Sequence, residues 1–337
     1  MPQPTDPSAA VVPPSTAAPE PSAAPEPTVA PVPATPLLQT SPWFAQLIDD
    51  TGMFPPANLT LANAYTAHLD RRSGRHAWML GPLMVPSSRN KELAELAGSG
   101  LGHIGVLLDG PASAINAGKT WADGLHLDCQ SLATTLPVAS LVQVEVTVPN
   151  DANWDTIEIA LEPLCSAGLR VFFEISPGPG LTDRLTRVAA LNKRLERRGA
   201  TIGAKLRMVG VAAHNVPHSS AVAGFLVACA VLELRVKATA GLHQPFRGNS
   251  ATSGFIEHGF INVLTAAARA QAGRKLNDVT AVLDITTPDR FSFVDGNVML
   301  DGIPVGDAAP ARRLLWSIGS ATFDNSVGAL SERGWID

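Results

Sequence analysis

LVQVEVTV (141–148), RVFFEIS (170–176), IGAKLRMV (202–209) and LRVKATA (234–240) are four apolar, β-branched runs whose starts recur about every 30 residues, the length of one strand, loop and crossover helix. Between them, 154–167, 181–198 and 219–233 place apolar residues at i, i+3 and i+4, the period of an amphipathic helix. Gly168 and Gly199 follow two of these segments, where a left-handed C-terminal cap favours glycine. Strand and helix in strict alternation is the pattern of parallel βα units.

The same pattern extends outward. AWMLGPLMV (77–85) and IGVLLD (104–109) read as two earlier strands, and LLWSIGS (314–320) as the last. A train of right-handed units closes into a barrel or an open doubly wound sheet; the reading adopted is α/β, a (β/α)8-like TIM barrel. Its irregular part is the seventh unit. A helix at 257–272 leads to a second amphipathic stretch at 276–283 and then to FSFVDGNVMLDGI (291–303), whose Asp-Gly and Gly-Asn pairs favour a β-hairpin. The barrel is therefore expected to be incomplete, or to carry an insertion, near this unit.

Residues 1–42 are dominated by Pro, Ala, Ser and Thr and bury too little apolar surface to offset the entropy of ordering, so they are expected to form a disordered tail. Residues 43–337 are then one barrel domain, of a size that such barrels commonly reach. No Lys or Arg precedes Arg71 and prolines interrupt each apolar run of the tail, which is unlike an export signal. The formal net charge is −5 with basic residues scattered, so no nucleic-acid footprint is present. No apolar stretch approaches the ~20 residues that cross a bilayer. Cys129, Cys165 and Cys229 suit neither a disulfide framework nor a CxxC clip, and Cys165 and Cys229 read as buried helical thiols. A cytoplasmic location follows, with no membrane or nucleic-acid partner; the oligomeric state is open.

In a barrel, the last inward residue of each strand opens onto the active-site mouth. Asp109, Glu145, Glu174, Lys205 with Arg207, and Lys237 with Thr239 all fall late in apolar strands. Unpaired, such charges would be too costly to bury. Either they neutralise one another in a structural network or they form a site. The loop after Lys237 adds Gly241, His243, Gln244 and Arg247, and His258 opens the next helix, where its side chain or the free N–H groups could hold an anion. Arg89, after the first strand of the series, could take a carboxylate or phosphate, and the glycine turn at 317–320, ending in Ser320, could present N–H groups to phosphate. His214 and His218 flank Pro217 and read as surface loop. The fingerprints GxGxxG, GxxxxGK[ST] and GxSxG are missing from any fitting context.

VKATAG (236–241) resembles the VKTSTG-like strand of deoxyribose-phosphate aldolase. The resemblance implies a class I aldolase in which Lys237 forms a Schiff base with a carbonyl substrate. Lys205 would lower its pKa by like-charge repulsion, and Asp109, Glu145 or Glu174 would move protons. The longer pattern KLR, KATAGLHxPxR, HGFxN is similar to that of a bacterial family of unassigned function.

Three expectations result. The first is a lyase without a cofactor that uses Lys237 on a small anionic compound, bound by Arg207, Thr239, His243, Arg247, His258, Arg89 and Ser320. The second is a metal-dependent isomerase, lyase or hydrolase, with Asp109, Glu145, Glu174 and His243 on a divalent ion. The third is a non-catalytic barrel that clamps an anion.

Overall fold

The computed structural model describes residues 40–100, 102–137, 140–165, 168–209, 216–251 and 253–337. Most of the expected tail, and His214, lie outside the described residues. In chain order the elements are β1 (Ile48–Asp50), α1 (Leu61–Ser73), β2 (Leu80–Pro86), α2 (Asn90–Ala97), β3 (Ile104–Leu107), α3 (Gly110–Asn116), α4 (Trp121–Thr135), β4 (Leu141–Thr147), α5 (Trp154–Leu161), β5 (Arg170–Glu174), α6 (Leu181–Leu195), β6 (Thr201–Arg207), α7 (Ser219–Val231) and β7 (Val236–Thr239). They continue with β8 (Gly248–Asn249), β9 (Ile256–Glu257), α8 (Phe260–Gln271), α9 (Leu276–Leu283), β10 (Phe291–Val294), β11 (Asn297–Leu300), β12 (Ile303–Pro304), α10 (Ala308–Leu314), β13 (Leu315–Ser320) and α11 (Phe323–Ser331).

Eight parallel strands close into a barrel in the order β1-β13-β7-β6-β5-β4-β3-β2. The seven strands read from the sequence are all present. The eighth, β1, was not anticipated: it inserts between β13 and β2, pairing Ile48 with Ile318 on one side and with Leu80 on the other. The barrel is thus complete, and the irregular seventh unit is an insertion between β7 and β13. Its expected hairpin forms at Asp295–Gly296, both with positive φ, and β12 extends it to a three-stranded antiparallel sheet.

Successive strand residues face opposite sides, which explains the composition of β4 to β7. Val144, Val146, Val171, Phe173, Ile202, Ala204, Leu206, Val236 and Ala238 are buried beneath the helices, leaving the alternate positions, polar ones included, to fill the barrel. Helix α8 is apolar nearly all round and buried along its length, because α7, α9 and α10 pack around it. It begins at Phe260 behind Gly259, so His258 precedes the helix it was expected to open. Cys129 and Cys229 are buried and Cys165 is half-buried past the end of α5. Among the described residues no helix is long and apolar enough to cross a membrane.

Candidate active site

The strand register assembles the charged residues. Glu174 of β5 pairs with Lys205 of β6, Lys205 with Lys237 of β7, and Lys237 with Ser317 of β13. Lys237 is fully buried and ion-paired to both Asp49 of β1 and Glu145 of β4. The other Glu145 oxygen lies 2.8 Å from Lys205 Nζ, which is also 2.8 Å from Glu174 Oε2. Arg207 reaches Glu174 Oε1 at 3.7 Å from the exposed end of β6. Gln143 donates to Asp49 Oδ2 at 2.8 Å and to Glu145 Oε1 at 3.1 Å, and Ser317 Oγ donates to Asp49 Oδ2 at 3.0 Å. The result is one chain of alternating charges, Asp49, Lys237, Glu145, Lys205, Glu174, Arg207, running from the barrel interior to its mouth.

Above it lies a cavity of about 840 Å³ at the C-terminal ends of the strands. Glu145, Glu174, Lys205, Arg207, Thr239 and His243 line it, and so does His218, which the sequence assigned to a surface loop, while Lys237 and Asp49 do not. The remaining wall is largely apolar: Phe54, Pro55 and Pro56 after β1, Met84, Leu107, Ile175 and Val209. The lining thus combines a charged cluster with many apolar residues, the composition of a small-molecule site.

The electrostatics follow from this packing. Burial alone would raise the Glu145 carboxyl, but the Lys205 and Lys237 ammoniums hold it down at about 2. Burial alone would lower Lys205, but Glu145 and Glu174 pull it above its ordinary range. Glu145 thus stands between the two ammoniums that the sequence had set against each other. The His243 imidazole is pushed down by burial, with Glu257 opposing; its Nδ1 lies 3.2 Å from Ser320 Oγ.

The other expected site residues sit elsewhere. Asp109 accepts hydrogen bonds from the Ser88 backbone and hydroxyl, Asp128 accepts from Gly110 N at 2.7 Å, and the single Ser87 hydroxyl proton lies between the two carboxylates, within reach of either. Burial pushes the Asp128 carboxyl up, against hydrogen bonding by Ser87 and Gly110, and Asp109 adds to the rise. Arg89 is paired with Glu92 on the surface. His258 is buried; its Nε2–H donates to the Pro217 carbonyl at 2.8 Å and its Nδ1 accepts from Arg247 at 3.0 Å. Arg247, His258, Ser320, Asp109 and Arg89 do not line the cavity.

Asp49, Gln143 and Ser317 complete the interior network; Asp49 and Gln143 were missed as site residues, and Ser317, expected in a phosphate turn at 317–320, lies instead within the buried strand β13. Their signal was weak but present: Gln143 and Ser317 are polar residues on the inward face of otherwise apolar strands. Glu145 and Glu174 meet at Lys205, but the four residues considered as metal ligands are not gathered. Among the described residues, no group of three or more His, Cys, Asp or Glu could hold a metal ion. No protein-family profile, curated protein or solved structure matches the chain.

Proposed function

We propose that this barrel is a lyase of the aldolase type that acts on a small anionic carbonyl compound through a lysine Schiff base, and that Lys205 is the amine. One observation carries the reading: Lys205 is the lysine that lines the cavity, with Nζ 2.8 Å from the carboxylates of Glu145 and Glu174. Lys237, proposed from the motif, lies below the cavity floor with no exposure and instead keeps Glu145 ionised.

The chemistry is as follows. The Lys205 ammonium transfers a proton to Glu174, and the free amine adds to the substrate carbonyl carbon to give a carbinolamine. Glu174 returns the proton to the departing hydroxyl, which leaves as water, and the iminium forms. The iminium draws in the electron pair of the adjacent carbon–carbon bond as a carboxylate removes the proton of the β-hydroxyl; an aldehyde leaves and an enamine remains. Protonation at carbon and addition of water release the second product and restore Lys205. Arg207 binds the substrate's anionic end, and the apolar wall excludes water from the reacting carbons.

Borohydride reduction with a panel of keto acids and aldehydes tests this. A stable adduct on the peptide containing Lys205, absent in Lys205→Met, is the expected result; an adduct on Lys237 moves the role back to that residue, and no adduct with any member rejects the Schiff base. A second reading is an anion-binding barrel without turnover, in which Arg207, exposed and 3.7 Å from Glu174, clamps the anion. It predicts saturable ligand binding with no conversion.

A further inference from the structure

A second pocket, of about 190 Å³, opens at the opposite face of the barrel, where the strands begin. We infer that it binds a small oxyanion of the phosphate or carboxylate class, held by Arg72, Arg170 and His103. At roughly 30 Å³ per water, the space suits an ion or a very small acid.

Two observations support the assignment. First, no Asp or Glu lines the pocket, and among the described residues neither Arg72 nor Arg170 makes an ion pair; elsewhere in this chain Arg71, Arg187 and Arg194 all find carboxylates. Secondly, Arg170 is held ready. Its Nε donates to the Val142 carbonyl at 3.3 Å and its guanidinium lies 5.0 Å from the Trp316 ring. Among the described residues its hydrogen bonds use Nε alone, leaving the two terminal nitrogens for the paired donation that guanidinium offers to phosphate or carboxylate. Burial lowers the Arg170 pKa, with Asp49 opposing, as expected of a cation that has given up water without gaining a bonded counter-ion.

The N-terminal face of such barrels is concerned with stability, and chemistry belongs to the other end. The bound oxyanion therefore stabilises the fold without entering the reaction, and this inference does not depend on the Schiff-base proposal.

The test is titration of the full chain with inorganic phosphate at low ionic strength, read by calorimetry, by melting temperature and by tryptophan fluorescence. Saturable binding is expected, with a rise in melting temperature as phosphate increases and a fluorescence change that Trp316→Phe removes. Arg72 is exposed, so Arg72→Gln keeps the fold, verified by its melt without phosphate, and should weaken binding about tenfold, the loss of one charge-assisted contact. Arg207→Gln, at the other face, should leave the Trp316-reported binding unchanged. Acetate competing as well as phosphate would identify a carboxylate source, and weak competition a phosphoryl one. The inference is overturned if binding is not saturable, if it survives both Arg72→Gln and Arg170→Lys, or if Arg207→Gln abolishes it.

Discussion

Lys237 and Asp49, 188 residues apart in the chain, are ion-paired inside the barrel with almost no exposure of either side chain. The pair joins the first strand to the seventh, and Glu145 shares the same ammonium. Removing the cation while leaving the carboxylates buried is the costly change. Lys237→Met is expected to destabilise the fold by about 3–5 kcal/mol, and the double variant with Asp49→Asn to recover part of that loss. Urea unfolding measures both; a single variant as stable as the parent would show that the pair contributes nothing.

That relationship also marks where the sequence stops being readable. Strands β4 to β7 were legible because each carries several apolar residues at an alternating or continuous spacing. β1 is three residues long and two of them are acidic, so by hydrophobic pattern it is a loop. Its identity as a strand depends on partners distant in the chain: Asp49 meets Lys237, and on the other face Asp50 meets His68 at 3.1 Å and Arg71 at 2.9 Å. Lys205, Glu145 and Glu174 were identifiable individually as late inward residues of their strands. Which lysine faces the cavity was not, since one strand's stagger relative to its neighbour decides depth in a barrel. Asp109 satisfied the same rule yet is held by Ser87 and Ser88, because its strand ends at Leu107 and the residue already belongs to the turn before α3.

Glu145 makes the protein sensitive to acid in a defined window. Its carboxyl is held at about 2 against an ordinary 4.5, so between those values the unfolded chain binds a proton that the folded chain does not. The stabilisation is complete above pH 4.5 and lost as pH falls toward 2, on the order of 3 kcal/mol. The slope of unfolding free energy against pH should flatten over this range in Glu145→Gln, whose stability at neutral pH is lower. An unchanged slope would assign the acid sensitivity to other carboxylates.

His258 titrates in a higher window. Burial, with the Arg247 guanidinium adding to it, outweighs the hydrogen bond to the Pro217 carbonyl and holds the imidazole at about 4, below its ordinary 6.5. The neutral ring with its proton on Nε2 fits both contacts, donating to Pro217 and accepting from Arg247. Folding therefore favours the neutral ring: the associated stability is full above pH 6.5 and declines as pH falls toward 4. Nuclear magnetic resonance of the His258 ring should show no titration near pH 6.5, and a midpoint there would contradict the buried geometry.

Gly259 supports the loop that carries His243 and Arg247. Its backbone φ of −89° is open to any residue, so the requirement is steric: a Cβ there would overlap the backbone of Phe246 and the Arg247 nitrogen. Gly259→Ala should cost about 1–3 kcal/mol, as overpacking does, and displace the KATAGLHQPFR segment from the cavity edge. A variant with the parent's melting temperature would mean that this segment yields freely.

The strongest constraint on the chemistry is that Lys205 rests as an ammonium. Burial would lower its pKa, but Glu145 and Glu174 raise it, so below that value the free amine is a minor species and the rate of borohydride-trapped adduct formation should rise with pH toward and beyond the ordinary lysine range. Replacing Glu174 by Gln removes one of the two anions holding the proton, which moves the limb to lower pH even if the maximal rate falls with the loss of a proton carrier. The position of the limb reports on Lys205 and its height on Glu174. A limb that does not move in Glu174→Gln would mean that some other group titrates, and would detach Lys205 from the attacking role.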